Sequence, residues 1–93
     1  MIKATKIKMK SNCLNKNSLL EIDSIKLEGD LTNPGWFKKE KVHDYIKNNN
    51  GVVTVNIYPY PKLVPVSTAT EKYVKSTPNA NTYDNLLSLQ REI

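Results

Sequence analysis

The chain has 93 residues, of which 39% are apolar and 25% charged, a composition that favours one globular domain over residues 1–93 and excludes a disordered segment. One cysteine excludes an internal disulfide, and residues 1–10 lack the continuous apolar run of a signal peptide or membrane span, so we expect a cytoplasmic protein without membrane contact. The net charge of +5 is concentrated in the lysine-rich residues 1–16, because residues 17–93 are balanced.

The N-terminal half begins with two predicted strands. Residues 2–10 alternate apolar residues with lysines, which predicts a strand with one basic face formed by Lys6, Lys8 and Lys10. A polar loop follows, and residues 20–28 predict a second strand that could return as a hairpin. In that hairpin the acidic residues of the second strand could lie opposite the lysines.

A single helix is predicted after the breaker Asn33-Pro34-Gly35. Its predicted bounds are Lys39 and Asn48, because Val42, Tyr45 and Ile46 form one apolar stripe. Lys38 is a poor N-cap, so the helix start depends on Phe37 packing against Val42 as a hydrophobic staple. Three asparagines and a glycine at 48–51 predict the C-terminal end.

The C-terminal half predicts three more strands, at residues 51–58, 63–66 and 70–75. The second contains Pro65, which cannot donate a backbone hydrogen bond and therefore indicates an edge or a bulge. The leucines of the tail predict that it folds back onto the core. The expected fold class is α+β, a small single domain with one helix packed on a mainly antiparallel sheet, in the order β-β-α-β-β-β with a folded-back C-terminal tail.

One segment resembles a known family. Tyr73-Val74-Lys75-Ser76-Thr77-Pro78, followed by Asp84-Asn85-Leu86 and then Leu89, is similar to the signature of the bacterial family called domain of unknown function 3892. Gly35-Trp36-Phe37 and the helix after it resemble the Trp-led helix of some members. The chain departs from the pattern where Gln90 replaces a proline, Lys75 an arginine and Lys38 a capping serine. The resemblance implies a prokaryotic or phage origin and no assigned activity.

The tail motif has a structural and a functional interpretation. In the structural one, Pro78 ends the last strand, Asp84 and Asn85 turn the backbone, and the leucines Leu86 and Leu89 are buried. In the functional one, Tyr73, Lys75, Asp84 and Asn85 form a ligand site. The leucines favour the structural interpretation.

Catalytic and metal-binding patterns are absent from the sequence. His43 and Cys13 are the only residues of their types, and nothing in their spacing suggests a nucleophile with its base. We interpret them as a surface histidine that does not face Asp44 and a buried or idle thiol. Zinc, calcium and phosphate-loop spacings are missing as well. We therefore expect a protein that is not an enzyme and uses no cofactor or metal.

Two binding hypotheses remain. The leading one is a non-enzymatic accessory module with an unidentified protein partner, anchored by the aromatic residues Trp36, Phe37, Tyr58 and Tyr60. The alternative is a weak nucleic-acid binder that uses the lysines Lys3, Lys6, Lys8, Lys10 and Lys16, with aromatic side chains for stacking. Lysines that keep an edge strand from aggregating would explain the same basic residues without any ligand.

Overall fold

The computed structural model describes residues 2–11, 19–29, 33–57, 60–77 and 85–92. The strands are β1 (Ile2–Met9), β2 (Ile22–Glu28), β3 (Gly35–Lys38), β4 (Val53–Val55), β5 (Leu63–Ser67), β6 (Lys72–Ser76) and β7 (Gln90–Glu92), and the helix is α1 (Lys39–Asn49). Two 3-10 helices span Leu19–Glu21 and Asn85–Ser88. The predicted α+β class, one helix on a mainly antiparallel sheet, is confirmed. The predicted order, β-β-α-β-β-β, lacks the short strands β3 and β7.

The main sheet has the order β3-β2-β1-β4, and β7 also pairs with β1. The β1–β2 and β2–β3 pairings are antiparallel, as the predicted hairpin requires. On its other side, β1 pairs in parallel with β4 through Ile2–Ala4 and with β7 through Lys6–Lys8. The first strand of the chain is therefore the central strand of the sheet.

Two irregularities in the β1–β2 register decide which side chains share a face. One lies between Ala4 and Lys6 and the other between Lys8 and Met9. A bulge adds one residue to a strand and so reverses the alternation beyond it. The sequence indicates the first of these bulges. The buried residues of β1 are Ile2, Ala4, Ile7 and Met9, which are two positions apart except for the step of three from Ala4 to Ile7.

Helix α1 starts and ends close to its predicted bounds. Lys38 occupies the N-cap position without a side-chain cap, and Phe37 lines one cavity with Val42, in agreement with a hydrophobic staple. At the other end Asn50 adopts a left-handed conformation, and its N–H donates to the carbonyl of Tyr45. The Tyr45 ring lies so close to Gly51 that any Cβ at this position would overlap it.

The second layer consists of α1 and the two-stranded β5–β6 sheet, which cover one face of the main sheet. Pro65 lies in β5, an edge strand, as predicted. The core between the layers includes Ile7, Ile25, Val42 and Val74, all with at most 2% of their surface exposed. The tail closes this core, with buried side chains at Leu86 and Leu89.

Candidate functional site

The outer face of the main sheet, which points away from α1, collects lysines around the single tryptophan. We define this outer face by Lys3, Lys6, Lys8, Ser24, Lys26, Glu28, Trp36 and Lys38, which come from β1, β2 and β3. Register places Lys6 opposite Lys26, and Lys26 opposite Trp36. These three side chains form a row across the strands that spans about 10 Å, two strand spacings.

The centre of this row is a pair of like charges. Residues directly opposite on neighbouring antiparallel strands have Cβ atoms about 5 Å apart, and two like charges there destabilise the sheet. Lys6 and Lys26 are half-buried, whereas Lys8 is exposed and Trp36 keeps 40% of its surface exposed. The like charges of Lys6 and Lys26 therefore repel each other across the strands.

Two carboxylates lie at the margins of the outer face. Glu28 lies opposite Lys3. Asp23 Oδ1 accepts a hydrogen bond of 2.9 Å from the Lys38 ammonium, and Asp23 Oδ2 accepts one of 2.6 Å from the Ser24 hydroxyl. The Ser24 hydroxyl and then the Lys38 ammonium hold the pKa of Asp23 below its usual value. Within the described ranges, Lys6, Lys8 and Lys26 form no ion pair.

The prediction that Lys10 continues the basic face of Lys6 and Lys8 is wrong. Strand β1 ends at Met9, and the Lys10 ammonium lies 3.0 Å from Glu71 Oε1 in the turn between β5 and β6. The hydrogen bond to Glu71 raises the pKa of Lys10 above its usual value. The acidic residues of β2 also do not face Lys6 and Lys8, whose partners are Lys26 and Ser24. Lys16 lies outside the described residues.

The four predicted aromatic anchors do not form one patch. Trp36 lies on the outer face, whereas its neighbour Phe37 points to the opposite side and packs against the core. Tyr60 is 54% exposed with a positive φ of 60°, in the connection after β4. Tyr58 lies outside the described residues. Of these four residues, Trp36 is the one that the strand register places beside the lysines.

The tail motif divides between two places in the fold. Tyr73 and Lys75 lie on the side of β6 opposite the buried Val74, with Tyr73 half-buried and Lys75 exposed. Leu86 and Leu89 are buried in the core. Asn85 begins the second 3-10 helix, and Pro78 and Asp84 lie outside the described residues. The burial of the leucines agrees with the structural interpretation.

His43 contradicts its sequence interpretation. The side chain is buried, with 2% of its surface exposed, and its Nδ1 lies 3.0 Å from Asp44 Oδ1. Asp44 Oδ1 also accepts a 3.2 Å hydrogen bond from the Lys72 ammonium, so the helix is tied to β6. His43 and then Lys72 hold the pKa of Asp44 below its usual value. The packing of α1 against β5 and β6 explains the difference, and Cys13 lies outside the described residues.

The described part of the chain contains no group of three His, Cys, Asp or Glu side chains that could hold a metal ion. It also has no helix with the length and apolar character needed to cross a membrane. The chemistry that these residues offer is charge, hydrogen bonding and aromatic stacking.

Sequence reasoning missed Lys26, the middle of the row. Its position between Ile25 and Leu27 indicates only that it points away from the core. Its partners Lys6 and Trp36 follow from the strand register. The sequence signal that could have indicated this register is the irregular spacing of the apolar residues in β1 and β2.

Comparison with known proteins places the chain in a family. The model of the family described as "Protein of unknown function (DUF3892)" matches residues 3–90. No curated protein and no solved structure matches the chain. The match extends over nearly the whole chain, beyond the helix and tail that carry the resemblance in the sequence, and the chain therefore belongs to the DUF3892 family.

Proposed function

We propose that this protein is a non-enzymatic, cytoplasmic binding module whose outer face binds single-stranded nucleic acid. The observation that carries the proposal is the central position of β1 in the sheet. Lysines that protect a sheet from edge-to-edge aggregation belong on edge strands. Lys6 and Lys8 are on a strand with neighbours on both sides, so edge protection does not explain them.

The spacing of the charges suits a phosphate backbone. Lys6 and Lys8 are two residues apart on one face of a strand, and their Cα atoms are therefore separated by about 6.7 Å. This separation is close to that of successive phosphates along an extended single strand. Lys26 adds a third ammonium group beside Lys6.

Trp36 supplies the second type of contact. It lies at the end of the lysine row with 40% of its surface exposed, and every nucleobase can stack on an aromatic ring. A base of a single strand is free to stack in this way, whereas a base inside a duplex is not. Because the row combines ammonium groups with one aromatic ring, it favours single-stranded over double-stranded nucleic acid.

A protein partner is the second candidate. An exposed tryptophan is a frequent anchor in protein interfaces. The unpaired lysines next to Trp36 favour a phosphate polymer at this face, because a protein interface core is depleted in lysine.

The test is a titration of intrinsic fluorescence with oligothymidylate. Trp36 is the only tryptophan, so stacking on the outer face quenches the whole tryptophan signal. Three phosphate contacts predict that log K falls with log salt with a slope of about −2 for a single strand. A duplex of the same length should bind more weakly than the oligothymidylate.

Matched variants locate the site. Lys26→Glu should abolish binding at low salt, and Trp36→Ala, followed with a labelled oligonucleotide, should weaken binding about 5-fold or more. Lys47→Glu, an equal charge change on the exposed side of α1, should alter binding only slightly. Absence of quenching at low salt, or equal losses for Lys26→Glu and Lys47→Glu, would refute the proposal.

A further inference from the structure

A cavity of about 220 Å³ lies on the inner side of the sheet, between α1 and strands β2 and β3. Its lining residues are Leu27, Phe37, Lys41, Val42 and Tyr45. Four of these side chains are apolar or aromatic, and the exposed Lys41 contributes the only charge. The cavity therefore combines an apolar interior with one cation.

Gly35, the first residue of β3, lies beside this cavity and contributes no side chain to it. Gly35 lies opposite Leu27, and a Cβ added at Gly35 would meet no atom of the described residues within 4 Å. Its φ of 147° also favours glycine over other residues. Among the described residues, the first position of β3 therefore places no side chain on the inner side of the sheet beside the cavity.

The orientation of α1 places one flank of the helix beside the cavity. At 100° per residue, Lys39 and His43 lie on one flank of α1, and both are buried. Lys41 and Tyr45 lie on the other flank, which lines the cavity. The cavity is therefore on the β3 side of the helix, away from the second sheet.

Strand β3 is an edge of the main sheet, and no described strand pairs with it on the side away from β2. An extended peptide can add to such an edge about 4.8 Å from it, with main-chain hydrogen bonds for affinity and pockets for alternate side chains. The side chains of the added strand would point in turn to the inner side, where the cavity is, and to the outer side.

The size and charge of the cavity define the peptide. An apolar cavity of about 150 Å³ holds benzene, so the 220 Å³ here suits one large apolar or aromatic side chain and not a larger ligand. Lys41 favours a carboxylate near that side chain. We infer that the β3 edge and this cavity form a docking groove for an extended acidic peptide segment that inserts one large apolar side chain.

The test is an NMR titration of the full-length ¹⁵N-labelled protein with a capped peptide of alternating threonines, one central phenylalanine and a glutamate at each end. We expect shift changes at the amides of Gly35–Lys38 and at the cavity residues Leu27, Val42 and Tyr45. Replacing the phenylalanine by alanine should weaken binding at least tenfold, the effect of leaving the cavity empty. N-methylation of the peptide amides that would pair with β3 should abolish binding.

Protein variants separate this groove from the outer face. Lys41→Glu should weaken peptide binding at least fivefold, whereas Lys47→Glu, on the same helix but outside the cavity, should not. Both changes should alter oligothymidylate binding only slightly. The inference is overturned if the phenylalanine and alanine peptides bind equally, or if the shifts map to Lys6, Lys8 and Lys26 on β1 and β2 and not to the cavity residues. It is also overturned if β3 pairs with a second copy of the chain, which a concentration series without peptide would show.

Discussion

The substitution Leu86→Ala, in the C-terminal tail, is the single change that we expect to lower the stability of the fold most. Leu86 has 0% of its surface exposed and belongs to the same cluster as Ile7 and Val74. Leucine-to-alanine changes at fully buried sites cost about 3–5 kcal/mol, because transfer free energy is lost and a cavity is left. A domain of this size has a free energy of unfolding of about 5–10 kcal/mol, so one residue removes a large part of it.

Thermal unfolding followed by circular dichroism measures this effect. A loss of about 3 kcal/mol lowers the Tm by about 12–24 °C in a domain of this size. Leu20→Ala is the matched control, since Leu20 is 36% exposed in the first 3-10 helix and should cost less than about 1 kcal/mol. Truncation after residue 78 removes Leu86, Leu89 and β7 together and should eliminate cooperative unfolding. Equal melting temperatures for Leu86→Ala and Leu20→Ala would show that the tail does not close the core.

Three further predictions follow from particular contacts. Gly51→Ala should destabilise the fold by about 1–3 kcal/mol, because the new Cβ overlaps the Tyr45 ring. Val52→Ala, at the exposed neighbouring residue, should cost little. Chemical denaturation compares the two variants, and equal midpoints would contradict the overlap. The lowered pKa of Asp23 means that its contribution to stability is present above the unfolded pKa of about 4 and is lost as the pH falls through the lower folded pKa. Asp23→Asn should therefore flatten the decline of the urea midpoint below about pH 4, and an unchanged decline would contradict this role. Lys6→Glu should raise the free energy of unfolding by about 0.2–1 kcal/mol, because the residue opposite Lys26 then carries the opposite charge instead of the same charge. The same change should weaken oligothymidylate binding. A loss of stability would refute the cross-strand contact.

Local patterns were sufficient to predict the helix and most strands. The apolar stripe of α1 predicts its start at Lys39 and its end within one residue. Strand β3 was missed because four residues that lead directly into a helix carry no periodic signal of their own. Strand β7 contains only Gln90, Arg91 and Glu92, so nothing apolar marks it, and its pairing with β1 depends on the tertiary fold.

The candidate site could not be predicted from the alternation of apolar and polar residues alone. The sequence identifies Lys6 and Lys8 as neighbours on one face, but only the β1–β2 register adds Lys26, and only the β2–β3 register adds Trp36. Lys10 was misplaced because a lysine that follows the last strand residue can turn toward a distant carboxylate, here Glu71. The burial of His43 likewise depends on the β5–β6 layer packing against α1.

The parallel pairing of β1 with β7 has a consequence for biosynthesis. Gln90, the partner of Lys6 in this pairing, is translated 84 residues after it. A nascent chain can form the β1–β2 hairpin and α1 while one side of β1 still lacks part of its partner strand, and such open strands promote misassociation. Completion of the sheet is therefore a late event during or after translation, and ribosome-bound chains that end before residue 85 should remain sensitive to proteases.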